Sequence, residues 1–145
     1  MASRNTTSPV TVLSEDECRV LLAAEDYGRL AVRVGDGVDV FPVNYTVEGD
    51  SLYFRSGPGS KMEDITLNPQ VAVEIDGQVG GAAWSVVVTG RAARMDTDAD
   101  IRDSDVQRIA AWHPGEKYNY VRVAIDAISG RRFTVQRTPP RDLRP

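Results

Sequence analysis

Cysteine and histidine are almost missing from this chain, which has one of each, Cys18 and His113. A lone cysteine forms no internal disulfide and fits a reducing, cytoplasmic compartment. One Cys and one His fall short of the usual ligand set of a structural zinc ion, so no metal site is expected. A single histidine also leaves no Ser-His-Asp or Cys-His set for nucleophilic catalysis. There is no run of ~18 apolar residues and hence no expected membrane span. The start, Met1 to Pro9, lacks the apolar stretch of a signal peptide. A basic excess is missing too. The net charge is −4, which argues against nonspecific nucleic-acid binding as the main role. No internal repeat and no second domain are visible.

What remains is the composition of one soluble globular domain. The chain has 145 residues, 41% hydrophobic and 26% charged, enough for a sizeable core. A flexible leader is expected over 1–12, the domain over 13–137 and a Pro- and Arg-rich flexible tail over 138–145.

The pattern along the chain is mostly of period two. Ser14-Glu-Asp-Glu17 is a capping box that opens a helix, with Cys18, Leu21 and Leu22 on one face. Tyr27-Gly28 is expected to end it. Leu30, Val32 and Val34 then alternate with Ala31 and Arg33. Gly35-Asp-Gly37 turns into a strand over Val38–Val47, where Pro42 marks a bulge, a bend or a free edge. After Glu48-Gly-Asp50, Leu52 and Phe54 alternate with Tyr53 and Arg55. A short helix over Met62–Leu67 stops at Asn68-Pro69. Strands follow over Val71–Asp76 and Trp84–Met95, separated by a loop at Gly77–Gly81. Val87 makes both faces of the second strand apolar, which suggests burial on both sides or in a subunit interface. Asp96–Trp112 reads as a helix. Val121–Ile125 and Arg131–Gln136 read as the last strands, with a turn at Ile128-Ser-Gly130. Six or seven short antiparallel strands with two or three flanking helices predict a mainly β protein closed into a barrel or roll.

Four stretches carry chemistry. In Arg55-Ser-Gly-Pro-Gly-Ser-Lys61 a strand runs through a glycine turn into a helix start. Backbone N–H groups there, the hydroxyls of Ser56 and Ser60, and the cations Arg55 and Lys61 suit a phosphate. The alternative is an ordinary capped loop. The spacing is neither that of a Walker loop nor that of a dinucleotide fingerprint, so a mononucleotide or phosphorylated cofactor fits better than ATP or NAD. Pro42, Val43, Asn44 and Tyr45 lie where a proline leaves backbone groups unpaired; these either read the edge of a flat heterocycle or belong to a plain edge strand. Trp84 either packs on a ring or fills a core or interface. His113 is either a catalytic base or haem ligand, or a favourable charge at a helix end. Carboxylates are scattered, and no catalytic residue stands out. Redox chemistry would have to come from a bound cofactor.

The ordered set Gly28-Arg-Leu-Ala31, Phe41-Pro-Val-Asn-Tyr45, Leu52-Tyr-Phe-Arg-Ser56, Gly59-Ser-Lys61, Asn68-Pro-Gln-Val-Ala72, Trp84-Ser-Val-Val-Val-Thr-Gly90 and Ile128-Ser-Gly-Arg-Arg-Phe133 resembles the pyridoxamine 5′-phosphate oxidase-like, FMN-binding split β-barrel family, in particular its smaller bacterial members. The resemblance implies a split barrel and a homodimer with two flavin sites at the subunit interface. It implies that Arg55, Ser56, Ser60 and Lys61 hold the FMN phosphate, that the Pro42–Tyr45 backbone lines the ring, and that Trp84 lies near it. It further implies an oxidoreductase passing hydride through the flavin to a small-molecule substrate. Other relatives use the deazaflavin F420 or bind haem, and a non-enzymatic carrier or sensor is the other implied role. The chain lacks the Arg-x-His element of authentic pyridoxamine phosphate oxidases and reads Gly130-Arg-Arg-Phe133 there, so pyridoxamine phosphate is not the expected substrate. The Arg131-Arg132 pair suits the more anionic tail of F420 or simply a charged surface.

Overall fold

A computed structural model describes residues 10–56, 61–95 and 119–135, leaving aside the side chains of Ser56, Lys61, Met62 and Asn119. The order is β1 (Val10–Val12), α1 (Glu15–Ala24), β2 (Tyr27–Val34), β3 (Gly37–Glu48), β4 (Ser51–Ser56), α2 (Lys61–Leu67), β5 (Gln70–Val79), β6 (Ala82–Arg94) and β7 (Asn119–Thr134). The strands hydrogen-bond in the order β1-β7-β4-β3-β2-β5-β6, and β7 also pairs with β6. That extra pairing closes β2 to β7 into a barrel, with β1 added outside on β7. All the pairings are antiparallel. The expected mainly β split barrel is therefore the fold. The helix expected over Asp96–Trp112, His113, the residues before Val10 and the tail over 138–145 lie outside the described residues.

Alternation puts one face of each barrel strand inside. Leu30, Val32, Leu52, Phe54, Val73, Ile75, Val86, Val88, Val121 and Val123 are buried in one core. Removing such side chains from water is worth about 1.5–3 kcal/mol each before entropy is counted. α1 packs on β7, β3 and β6. Its start is fixed by the expected capping box: Glu17 N–H donates to Ser14 Oγ at 3.1 Å and Ser14 N–H to Glu17 Oε1 at 3.0 Å. Cys18 and Leu22 are its fully buried residues. Burial raises the Cys18 thiol pKa, which suits a core residue rather than a reactive thiolate.

Several boundaries differ from the sequence reading, each for a physical reason. Val10–Val12, expected in the leader, pair with Arg131–Phe133 as β1. Tyr27-Gly28 does not end α1, which stops at Ala24 with Glu25 extended; both residues open β2. A Cβ on Gly28 would stand 2.8 Å from the Glu74 carbonyl, so this glycine serves the close approach of β5. The Gly77–Gly81 loop shrinks to a turn at Gly80-Gly81, because Gly77 stays in the ladder opposite Trp84. The turn expected at Ile128–Gly130 is absent, and β7 runs straight through. Gly130 is there because a Cβ would stand 2.7 Å from Cys18 Sγ.

Candidate functional site at the barrel split

β3 is longer than its pairing with β4. It runs unbroken over Gly37–Glu48, but the β3–β4 ladder covers only Tyr45–Glu48, ending at the pair Tyr45 and Phe54. Before Tyr45, β3 has β2 on one side and no strand on the other among the described residues. β4 continues past Phe54 through Arg55 and Ser56, paired only with Tyr120 and Asn119 of β7. The two strands part at this point, and the barrel is split there.

Pro42 sits in that half, which has a strand on one side only among the described residues, as the free-edge reading expects. Tyr45 N–H donates to the Asp26 carbonyl at 3.0 Å. Counting back in the alternating antiparallel ladder, Arg29 and Pro42 face each other as a non-hydrogen-bonded pair. The missing N–H of Pro42 therefore points to the open side and costs β2 nothing.

The four ring-lining candidates divide by the same alternation. Pro42 and Asn44 direct their backbone groups away from β2. Val43 and Tyr45 direct theirs to β2, and their side chains are buried. Tyr45 is further tied down by its hydroxyl, which donates to the Leu22 carbonyl at 2.6 Å. Burial, aided by Glu25 and Asp26, raises its pKa well above the usual phenol value.

Of the phosphate candidates, Arg55 lies on β4 just past the last β3–β4 pair. β4 ends at Ser56 and α2 begins at Lys61, so the expected strand and helix start are present in the backbone, and residues 57–60 between them lie outside the described residues. Arg55 is half-buried, with its guanidinium carbon 5.8 Å from the centre of the Tyr120 ring, within cation–π range. Ser60 and the side chains of Ser56 and Lys61 lie outside the described residues. Tyr120 was not singled out from sequence. Its signal, an aromatic residue at the start of a strand, carries no information about β4 lying beside it.

Trp84 is placed elsewhere. It is 6% exposed, within the core, on β6, with β5 and β2 between it and β3. A Cβ on Gly77 would stand 2.9 Å from the indole, so the ring occupies the space that this glycine leaves. The packing alternative describes Trp84 within one chain.

A charged cluster was also missed, because its residues are far apart in sequence. Arg29 Nη1 donates to Glu74 Oε1 at 3.1 Å and to Asp76 Oδ2 at 3.0 Å. Ser85 Oγ donates to Glu74 Oε2 at 3.1 Å. Burial, and then the neighbouring Asp76 carboxylate, raises the Glu74 pKa. These carboxylates sit on β5 and are paired, not scattered on turns. No group of three metal-ligating side chains occurs among the described residues, and none of their helices is long and apolar enough to cross a membrane.

Comparison with known proteins bears on this geometry. Residues 14–132 match the family model described as pyridoxamine 5′-phosphate oxidase. An uncharacterized protein of Rhizobium meliloti is 36% identical over 109 residues, 74% of this chain and 70% of its own. A Mesorhizobium loti structure described as a FAD-binding protein superposes with TM-score 0.76 at 30% identity, covering 86% of this chain and 99% of its own. The structure of the FAD binding protein from Mycobacterium smegmatis gives 0.71 at 32% identity, covering 85% and 99%.

Proposed function

Because the chain belongs to the pyridoxamine 5′-phosphate oxidase family, we propose that it is a flavin-binding oxidoreductase whose cofactor lies at the split between β3 and β4. The observation that carries this reading is the parting of the strands at Tyr45 and Phe54, which sets the proline edge of β3 across from Arg55. The residues fit the group. Arg55 offers a half-buried cation, and with Ser56, Ser60 and Lys61 it would hold the phosphate. The outward carbonyl of Pro42 would meet the polar edge of the ring. A bound flavin supplies hydride transfer, and the chain supplies binding, orientation and a shaped edge. Within one chain Trp84 takes no part.

FMN is the form we put forward, since one phosphate group suits one short turn. FAD is the second reading, favoured by the likeness to the FAD-binding proteins of Mesorhizobium loti and Mycobacterium smegmatis. The substrate is a small molecule. Two copies of the chain would form the working unit, in the cytoplasm.

The visible spectrum of the purified protein, followed by mass measurement of the extracted chromophore, tests this. A flavin spectrum with the mass of FMN is expected. A haem band, a deazaflavin spectrum, or a colourless protein that takes up neither FMN nor FAD would sink the proposal.

A further inference from the structure

On the barrel wall built from β4, β7 and β6, alternation turns Ser51, Arg122, Ala124 and Arg91 away from the core that Val121, Val123 and Ala92 fill. Register sets their places. Arg122 stands opposite Ala93, and Arg91, two residues before Ala93, stands opposite Ala124. Arg91 and Arg122 are therefore diagonal neighbours, roughly 7–8 Å apart at the backbone. Ser51 flanks Ala124 from the other side, on β4. A small, exposed alanine thus lies among two guanidinium groups and a hydroxyl.

The two arginines are exposed and not neutralised. Neither forms an ion pair among the described residues. Asp50, the acid next to Ser51, is bonded to Arg19. Asp126, two residues beyond Ala124 on β7, forms no ion pair with either arginine. Like charges at this range disfavour each other, and an anion placed between them reverses the sign of the interaction.

One of the pair is also aimed. Arg122 Nε donates to the Oγ of the buried Ser51 at 2.9 Å. Across β4, Arg122 faces Tyr53, which has Ser51 two residues before it and Arg55 two residues after it. The bond to Ser51 therefore draws Arg122 towards the row of Ala124 and Arg91, away from Arg55 and the barrel split. It occupies Nε and leaves both Nη groups for a ligand.

We propose that Arg91 and Arg122 hold a phosphate group over Ala124, either free phosphate or the phosphate of a small phosphorylated molecule. A dianion matches two cations, and its oxygens accept hydrogen bonds from both guanidinium forks. Ala124 gives the site a floor with no side chain to fill it. One arginine pair in a chain of net charge −4 suits a small anion rather than a nucleic acid. This site is additional to the turn after β4 and does not rest on the flavin reading.

Calorimetric titration of full-length protein at constant ionic strength, after loading with FMN and removal of the excess, tests it. Inorganic phosphate is expected to bind the wild-type chain, and to bind about tenfold or more weakly to Arg91→Gln and to Arg122→Gln. Arg33→Gln, which removes an exposed charge on β2, is expected to bind as the wild type does. A wild type that binds no phosphate, full affinity in either Arg91→Gln or Arg122→Gln, or an equal loss in Arg33→Gln overturns the site. Glycerol phosphate titrated alongside separates the two sources. Binding at least as tight as that of phosphate, and lost in the same two variants, assigns a phosphorylated molecule; binding of phosphate alone assigns the free ion.

Discussion

Tyr45 stands directly opposite Phe54, and this is the last pair of the β3–β4 ladder. Both side chains are buried. Their neighbours, Asn44 and Arg55, lie where the strands separate. Asn44 and Arg55, eleven residues apart in sequence, are brought side by side at the end of this ladder.

The open edge makes a prediction about proline. At Pro42 the absent N–H faces away from β2, so Pro42→Ala is expected to change unfolding free energy by less than about 1 kcal/mol. At Val43 the ladder needs the N–H, because this residue pairs with Gly28. Val43→Pro is expected to abolish cooperative folding. Urea denaturation of the two variants checks the contrast; equal stabilities would contradict the phase assigned to β3.

That phase shows what was legible in the sequence. Pro42 announced an irregularity in a strand, and the free edge was among its possible meanings. The alternation of Leu52 and Phe54 announced a buried face on β4. Where the β3–β4 ladder would stop was not written in either strand, because register depends on the whole barrel closing through β7. Gly28, Gly77 and Gly130 misled for a related reason. Each looks like punctuation locally, yet each makes room for a partner distant in the chain: the Glu74 backbone, the Trp84 indole and Cys18.

Gly130 gives a second prediction. Ala at this position would drive a methyl group into Cys18 Sγ and the Ser85 carbonyl, at 2.7 and 3.0 Å. Overpacking of this kind costs about 1–3 kcal/mol. A Gly130→Ala variant should melt several degrees lower, and adding Cys18→Ala, which removes the sulfur, should recover part of the loss. No recovery would mean that α1 is not what Gly130 accommodates.

Tyr45 predicts a pH dependence. Its folded pKa is raised by burial, so the folded state holds the phenol proton more tightly than the unfolded chain. The stability tied to that proton is fully present below the unfolded value of about 10 and falls as pH rises above it. Tyr45→Phe loses the bond to the Leu22 carbonyl, at a cost of about 1–2 kcal/mol near neutral pH. It should also show a shallower loss of stability between pH 10 and the alkaline limit of folding. Parallel alkaline slopes for the two proteins would contradict the buried phenol.

Glu74 predicts the opposite end of the scale. Its raised pKa means that the folded chain binds a proton here more readily than the unfolded one. The ionised carboxylate therefore costs stability above its folded pKa, and the cost is relieved as pH falls through that value. Glu74→Gln should reduce this acid-side gain, read as the difference in melting temperature between neutral and mildly acidic buffer. An unchanged difference would remove Glu74 as its source.

The most direct test of the split as a cofactor site is flavin retention by the Arg55→Ala, Lys61→Ala double variant. Wild-type protein is expected to carry flavin absorbance through gel filtration, and the double variant, with an unchanged far-ultraviolet dichroism spectrum, to elute without it. A double variant that keeps the wild-type ratio of flavin to protein would contradict the assignment of Arg55 and Lys61 to the cofactor phosphate.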